Sequence, residues 1–257
     1  MSAMNTNTEF RTRLRRGDPM CGPFIKTPHY QNIEIAGAAG MDFVVLDAEH
    51  APFSVDAIDR CLLGCAAASL PGVVRLPDAE PSTILQVLDM GAAGIVVPHV
   101  VSATQARAAV AATRYRDGVR GFSNSPRAGG YGRLAMTEHL RLHDAAVSVV
   151  CQIEDPEAVD HVDEIAAVPG VDCLFIGRAD LAVSYQATSL DDERIERAID
   201  RTIEAGRAAG VTVGMFLPDV GAARRYAERG MRFFILGSDQ SLLSSGLAQI
   251  ARTFHAA

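Results

Sequence analysis

Val147-Ser148-Val149-Val150-Cys151-Gln152-Ile153-Glu154 and Cys173-Leu174-Phe175-Ile176-Gly177-Arg178-Ala179-Asp180 are two short apolar runs, each leading into a carboxylate. Short apolar runs bounded by turn residues read as buried strands, so Glu154 and Asp180 are expected where two strands leave a core. Two acids placed that way can hold one hard divalent cation through oxygen ligands. Working outward, the same reading finds strands at residues 23–26, 42–47, 72–76, 94–98, 147–153, 172–177, 211–216 and 233–237. Helical patterns lie between most of them, at 30–39, 55–68, 81–90, 104–113, 157–167, 191–209 and 220–229. Several close on glycine, as at Gly40, Gly210 and Gly230. Alternation of this kind implies parallel strands joined by right-handed crossovers. Eight units point to an α/β fold, a single (β/α)8 TIM barrel over residues 1–257, with an open doubly wound sheet as the alternative. No G-x-G-x-x-G or G-x-x-x-x-G-K-[ST] follows the early strands, which weakens a nucleotide-binding sheet.

The totals agree with that architecture. A chain of 257 residues suits one barrel, and the absence of tryptophan fits small-residue helix–strand contacts better than a β-sandwich. A net charge of −7 with no basic run argues against nucleic acid as a partner. The five cysteines contain no C-x-x-C pair, and Cys61 and Cys65 fall on one helix. Structural zinc and a disulfide framework are therefore not expected, and a reduced cytoplasm is the simplest setting. Residues 1–9 carry no apolar core of a signal peptide. Nor does any stretch reach the roughly 18 apolar residues of a membrane span.

One connection is out of scale. Residues 115–142, between the fourth and fifth strands, are rich in Gly, Arg and Ser. A long excursion on a compact domain is usually functional, and it is expected to lie over the active site. Residues 1–20 form an N-terminal segment, and residues 241–254 a C-terminal helix.

In such a barrel the chemistry sits at the carboxyl ends of the strands. Asp47, Glu49 and His50 follow the second strand, Arg75 closes the third, Glu154 the fifth, and Asp180 follows the sixth. Asp155 and Pro156 read as an N-cap and first helical residue, which leaves Glu154 free to bind a metal. Two carboxylates completed by water and substrate oxygens suit Mg2+ or Mn2+. His50, three residues past Asp47, can act as a general base if a carboxylate fixes its tautomer. Arg75 at the end of a buried strand needs an anion, either a neighbouring acid or a substrate oxyanion. His99 is expected to line the mouth without a catalytic role. His29, His139, His143, His161 and His255 read as solvated.

Leu46-Asp47-Ala48-Glu49-His50-Ala51-Pro52 resembles the D-x-E-H-x-P signature of the class II pyruvate aldolases of the HpcH/HpaI type. That group includes 4-hydroxy-2-oxoheptanedioate and 2-dehydro-3-deoxyglucarate aldolases. The likeness continues through Val74-Arg75, Gln86-Val87-Leu88-Asp89-Met90-Gly91-Ala92, Arg120-Gly121, Gln152-Ile153-Glu154 and Gly177-Arg178-Ala179-Asp180-Leu181, over roughly residues 20–240. The resemblance implies a barrel that binds Mg2+, Mn2+ or Co2+ and reversibly cleaves 4-hydroxy-2-oxo acids to pyruvate and an aldehyde through a metal-bound enolate. On that basis Glu154 and Asp180 are the metal ligands, Arg75 faces the keto oxygen, and Asp47 with His50 forms the acid–base pair. Gln152, Gly177, Arg178 and Ala179 then join Arg75 in binding substrate, and Asp89 reaches a neighbouring subunit's site. The resemblance also implies a homohexamer that exchanges its C-terminal helix between subunits.

Where the family reads Gly-Pro-Ala-Asp-Leu-Ser, this chain has Gly177-Arg178-Ala179-Asp180-Leu181-Ala182. Arg178, Arg120 and Arg127 are candidates for a carboxylate on the aldehyde's tail. Lys26 is the only lysine, in the first strand, so a Schiff-base route is excluded unless its side chain points into the mouth. Two other readings remain open. One is a lyase acting on an acyl-CoA of the malyl- or citramalyl-CoA type; the other is a non-catalytic metabolite-binding protein.

Overall fold

The computed structural model describes residues 3–256. Helix α1 (Ala3–Arg16) precedes an alternation that begins β1 (Met20–Ile25), α2 (Tyr30–Ala38), β2 (Val44–Asp47), α3 (Val55–Ala68), β3 (Gly72–Arg75), α4 (Pro81–Asp89), β4 (Gly94–Val97) and α5 (Ala103–Thr113). After a 3-10 turn (Arg127–Gly129) come α6 (Met136–Ala146), β5 (Ser148–Ile153), α7 (Pro156–Asp160), α8 (Val162–Ala166), β6 (Cys173–Ile176) and α9 (Arg178–Ser184). The chain ends with α10 (Glu193–Ala209), β7 (Thr212–Leu217), α11 (Val220–Glu228), β8 (Phe233–Ser238) and α12 (Asp239–His255). The eight strands are parallel and close in sequence order, β8 pairing with β1. The closed (β/α)8 barrel is therefore the fold, and the open sheet is excluded. Among the described residues no helix is long and apolar enough to cross a membrane.

Strand parity sorts the side chains. Val44, Leu46, Val74, Ile95, Val149, Cys151, Ile153, Leu174 and Ile176 pack outward with the helices. Phe24, Val45, Val73, Val96, Val150, Cys173, Phe175 and Ile235 fill the barrel. Because successive side chains alternate, the inward series continues two residues on to Lys26, Asp47, Arg75 and Gln152, and from there to Glu154. The polar mouth is the last layer of the core series. Below, Phe10 and Leu14 of α1 join the interior cluster, with Phe10 5.7 Å from Phe43 and 6.5 Å from Phe233 between ring centroids. Helix α1 thus plugs the amino end of the barrel.

The long connection differs from expectation. It leaves the end of α5 and enters the start of β5, and a helix-to-strand connection in such a barrel lies at the amino end. Residues 115–142 therefore lie at the opposite end of the barrel from this chain's own Glu154 and Asp180. They contain the 3-10 turn and much of α6, which packs on α1.

His139 and His143 are buried there, not solvated as expected. Asn124 Nδ2 donates to the Leu134 carbonyl, so Asn124 Oδ1 accepts from His139 Nδ1, 2.9 Å away. His139 Nε2 is then left to accept from the Tyr115 hydroxyl at 3.1 Å. His143 Nε2 donates to the Ala128 carbonyl at 2.9 Å. Burial pushes the His143 imidazole down to about 4, and burial also lowers His139. The unfolded chain takes up the proton first, near pH 6.5, so stability falls as pH drops from 6.5 towards 4. For His143 alone the loss is about 3 kcal/mol. Urea unfolding across that range checks it, and His143→Leu is expected to flatten the slope.

Candidate active site

The mouth is built from register. Asp47 and Arg75 are directly paired residues on adjacent parallel strands, each the last of its strand. Their side chains meet in a two-pronged ion pair: Arg75 Nε donates to Asp47 Oδ1 at 3.0 Å and Nη2 to Oδ2 at 2.8 Å. Asp47 is fully buried and also accepts the His50 backbone N–H at 3.1 Å, with Lys26 Nζ 3.2 Å from Oδ2. Burial alone would raise the Asp47 carboxyl. The Arg75 guanidinium, the His50 N–H and Lys26 outweigh burial and hold it below its ordinary value. Arg75 also lies 3.3 Å from Glu49 Oε2 and 4.5 Å above the Phe24 ring.

On the far side, Ile153 and Ile176 are register partners, so Glu154 and Gly177 leave the sheet side by side. A Cβ on Gly177 would sit 2.7 Å from Glu154 Oε2 and 3.5 Å from Asp180 Oδ2. Only glycine lets the two carboxylates flank this turn. Glu154 is buried, accepts the His99 backbone N–H at 2.8 Å, and forms a short bond with Gln152 Nε2. His99 delivers that N–H from a left-handed conformation at φ 51°, a backbone state uncommon outside glycine and typical of functional turns. Burial pushes the Glu154 carboxyl above its ordinary value; the Gln152 and His99 hydrogen bonds oppose the rise, and the nearby charge of Asp180 adds to it.

This donor set suits a hard cation. Carboxylate and imidazole atoms of Glu49, His99 and Glu154 all lie within 4.8 Å of one another; Asp180, the second ligand expected from the sequence, is not in that group and stands beside Glu154 across Gly177. Glu49 Oε2 and Gln152 Oε1 are buried without a hydrogen-bond partner, and a cation with its waters satisfies atoms of this kind. His99 Nδ1 is 3.0 Å from Asp155 Oδ2, and that hydrogen bond raises the His99 pKa. Asp155 occupies the N-cap of α7 with Pro156 in the first turn, but its side chain serves His99 and makes no cap hydrogen bond.

A cavity of about 460 Å³ opens on this layer and is lined by Lys26, His50, Arg75, Gln152, Gly177, Arg178, Ala179 and Asp180, among others. The structure thus brings together most of the residues singled out in the sequence. The Asp47–His50 contact runs through the His50 backbone; the carboxylate nearest its ring is Glu49, 3.6 Å from Nε2. Asp89 ends α4 at the amino end of the barrel and pairs with Arg120 at 2.9 Å. Arg120 is stacked 4.4 Å over Tyr115, and Arg127 is tied to Asp59 and to the Met90 carbonyl. Neither lines this chain's mouth. Arg178 does, but its Nη2 is held 2.9 Å from both the Leu190 carbonyl and Asp191 Oδ1. Sequence reasoning left open whether Lys26 enters the mouth, which it does, so the sequence-based exclusion of a Schiff base lapses; it passed over the contact of His99 with Glu154. The first could have been found from the parity of Phe24, whereas the second needs a backbone conformation that the sequence does not announce.

Residues 21–245 match the profile of the HpcH/HpaI aldolase/citrate lyase family. The hydroxypyruvate/pyruvate aldolase of Paraburkholderia phytofirmans is 35% identical over 247 residues, covering 92% of this chain and 94% of that one. The 5-keto-4-deoxy-D-glucarate aldolase of Klebsiella pneumoniae is 37% identical over 248 residues, covering 96% of each. A crystal structure of an HpcH/HpaI aldolase/citrate lyase family protein from Burkholderia cenocepacia superposes with a TM-score of 0.91 at 35% identity, covering 96% of this chain and 99% of that one. With a profile match along most of its length and aldolases of this identity covering nearly all of it, the chain is an aldolase-type enzyme and belongs to the HpcH/HpaI aldolase/citrate lyase family.

Proposed function

We propose that this enzyme reversibly cleaves a 4-hydroxy-2-oxo acid to pyruvate and an aldehyde, with Glu154 and Asp180 holding Mg2+, Mn2+ or Co2+. One observation carries the reading: Arg75, locked by Asp47, faces the same cavity as His50, Gln152 and Asp180, beside the buried Glu154. In the cleavage direction the C4 hydroxyl loses its proton, the C3–C4 bond breaks, and its electron pair moves into pyruvate as the enolate. When bound, a divalent cation polarises the 2-oxo acid and offsets that negative charge. Arg75 presents its guanidinium to the keto oxygen; because Asp47 fixes two of its nitrogens, no reorganisation is needed as charge develops. His50 lines the cavity on a turn pinned by Asp47, and it takes the hydroxyl proton and returns one to carbon. Glu49 stands near enough to stabilise the protonated ring.

The oligomer belongs to the same reading. Helix α12 has no buried residue and exposes Leu243, Leu247, Ile250 and Phe254 on one face. That stripe supports a homo-oligomer, a hexamer by family likeness, in which this helix packs on a neighbour and Asp89 with Arg120 approaches a neighbouring mouth. A cytoplasmic location belongs to the same reading, supported by five cysteines that are all free thiols.

The test is pyruvate release from 4-hydroxy-2-oxo acids with and without EDTA. Release is expected to stop with chelator and return with Mg2+ or Mn2+; indifference to chelator would sink the metal assignment. His50→Ala is expected to lower kcat by about 10²–10⁴ while cation affinity, read by calorimetry, stays as in the parent.

A further inference from the structure

The chain's single lysine stands in the mouth. Lys26 follows β1 directly, and Phe24, two residues earlier, belongs to the barrel interior. Strand alternation therefore turns Lys26 inward. Two hydrogen bonds seat its backbone: the N–H groups of Lys26 and Thr27 donate to the Asp239 carboxylate at 2.8 and 2.9 Å. The side chain lies over Phe24, with Nζ 6.0 Å from the ring centroid and 3.2 Å from Asp47 Oδ2, and is 29% exposed.

That contact does not exhaust it. Both Asp47 oxygens already accept from Arg75, and one also accepts the His50 N–H. Arg75 is shared between Asp47 and Glu49, so Lys26 completes the charge balance of this acid pair and still has donors left over. An ammonium carries three donors, and Asp47 engages one. Of the other cations, Arg75 is held by Asp47 and Glu49, and Arg178 is anchored away through Nη2 to Leu190 and Asp191, with its Nε buried. In the strand order β1 lies opposite β5, so Lys26 faces Glu154 across the mouth. Between the two sides the cavity wall includes Phe24, Phe216, Pro218 and Leu190, which offer no hydrogen bonds from their side chains.

We propose that Lys26 is the residue that recognises the far end of the substrate, taking an anionic group, a carboxylate, carried on a short apolar spacer. The proposal rests on the aldolase reading for which end of the substrate lies at Glu154 and Asp180. It places on Lys26, whose ammonium reaches the open cavity, the tail-binding role for which Arg178, Arg120 and Arg127 were the candidates from the sequence. The proposed contact is a hydrogen bond and forms no covalent bond to the substrate.

The experiment is calorimetric binding, in the presence of Mn2+, of 2-oxoadipate and 2-oxohexanoate, which share a chain length and differ in the terminal carboxylate. The parent enzyme is expected to prefer 2-oxoadipate by about 10- to 100-fold, as a charged hydrogen bond implies. Lys26→Met should reduce the ratio to near one, and Lys26→Arg should restore part of it. A parent without preference, or a methionine variant that keeps it, overturns the proposal. A second readout needs no variant: with one lysine, enzyme labelled with [13Cε]lysine gives a single side-chain Cε signal and keeps all three donors. That signal should shift with 2-oxoadipate and stay put with 2-oxohexanoate; equal response to both also overturns the proposal. Solvent exchange of pyruvate methyl protons by the parent reports on the aldolase reading separately. A preference without exchange would leave Lys26 standing as a dicarboxylate-recognition residue and remove the aldolase.

Discussion

Glu154→Gln is expected to abolish cation binding at the mouth while leaving the barrel folded. The substitution keeps the shape and an oxygen to accept the His99 N–H, but removes the charge on which a hard cation depends. The fold should tolerate it because Glu154 is buried and burial already disfavours its charged form. In the parent, a cation that binds only the native state stabilises it by about 2.7 kcal/mol at one hundred times its Kd. Mn2+ should therefore raise the parent's Tm and leave that of Glu154→Gln unchanged. Calorimetry should show affinity reduced by at least the roughly 10–100-fold that loss of a mere supporting group costs. An equal Mn2+-induced rise in both proteins would move the metal elsewhere.

Arg75→Met is expected to damage both stability and catalysis, and the two losses separate. Removing the guanidinium takes away both side-chain hydrogen bonds that Arg75 makes to the fully buried Asp47. Breaking a buried pair from one side costs about 3–5 kcal/mol, towards the lower end here because Lys26 remains 3.2 Å from Asp47. Loss of a donor aimed at developing charge costs kcat about 10²–10³. Asp47→Asn in the same chain removes the orphaned charge, so the double variant should regain stability in urea without regaining kcat. Arg75→Lys should recover much of the stability but little of the rate, since an ammonium lacks the planar fork that Asp47 grips. If the double variant recovered activity with stability, Arg75 would be a structural counter-ion alone.

Much of this was legible in the residues. Eight apolar runs alternating with helical patterns were enough for the barrel, and strand-end position alone gathered Asp47, His50, Arg75, Glu154 and Asp180. What escaped depends on the third dimension. The length of residues 115–142 suggested a cover for the mouth, but a segment running from α5 to β5 must sit at the amino end whatever its composition. His139 and His143 looked solvated because their burial comes from the long connection folding back on α6, where Tyr115, Phe122, Asn124 and Ala128 pack against their rings. The Asp47–His50 spacing suggested a carboxylate–imidazole bond; the turn instead directs the backbone N–H to Asp47 and the ring towards Glu49. Lys26 was within reach of the sequence, since an inward Phe24 fixes it, but only once the register of β1 is known.

The central claim, that these strand ends stabilise a pyruvate enolate, is tested most directly without knowing the aldehyde. Pyruvate incubated in deuterium oxide with the enzyme and Mn2+ should lose its methyl proton signal, read by NMR after the Mn2+ has been taken out on chelating resin. The loss should cease with EDTA and in Glu154→Gln. Methyl protons that persist with the metal-loaded parent enzyme, or that exchange equally in Glu154→Gln, would contradict it.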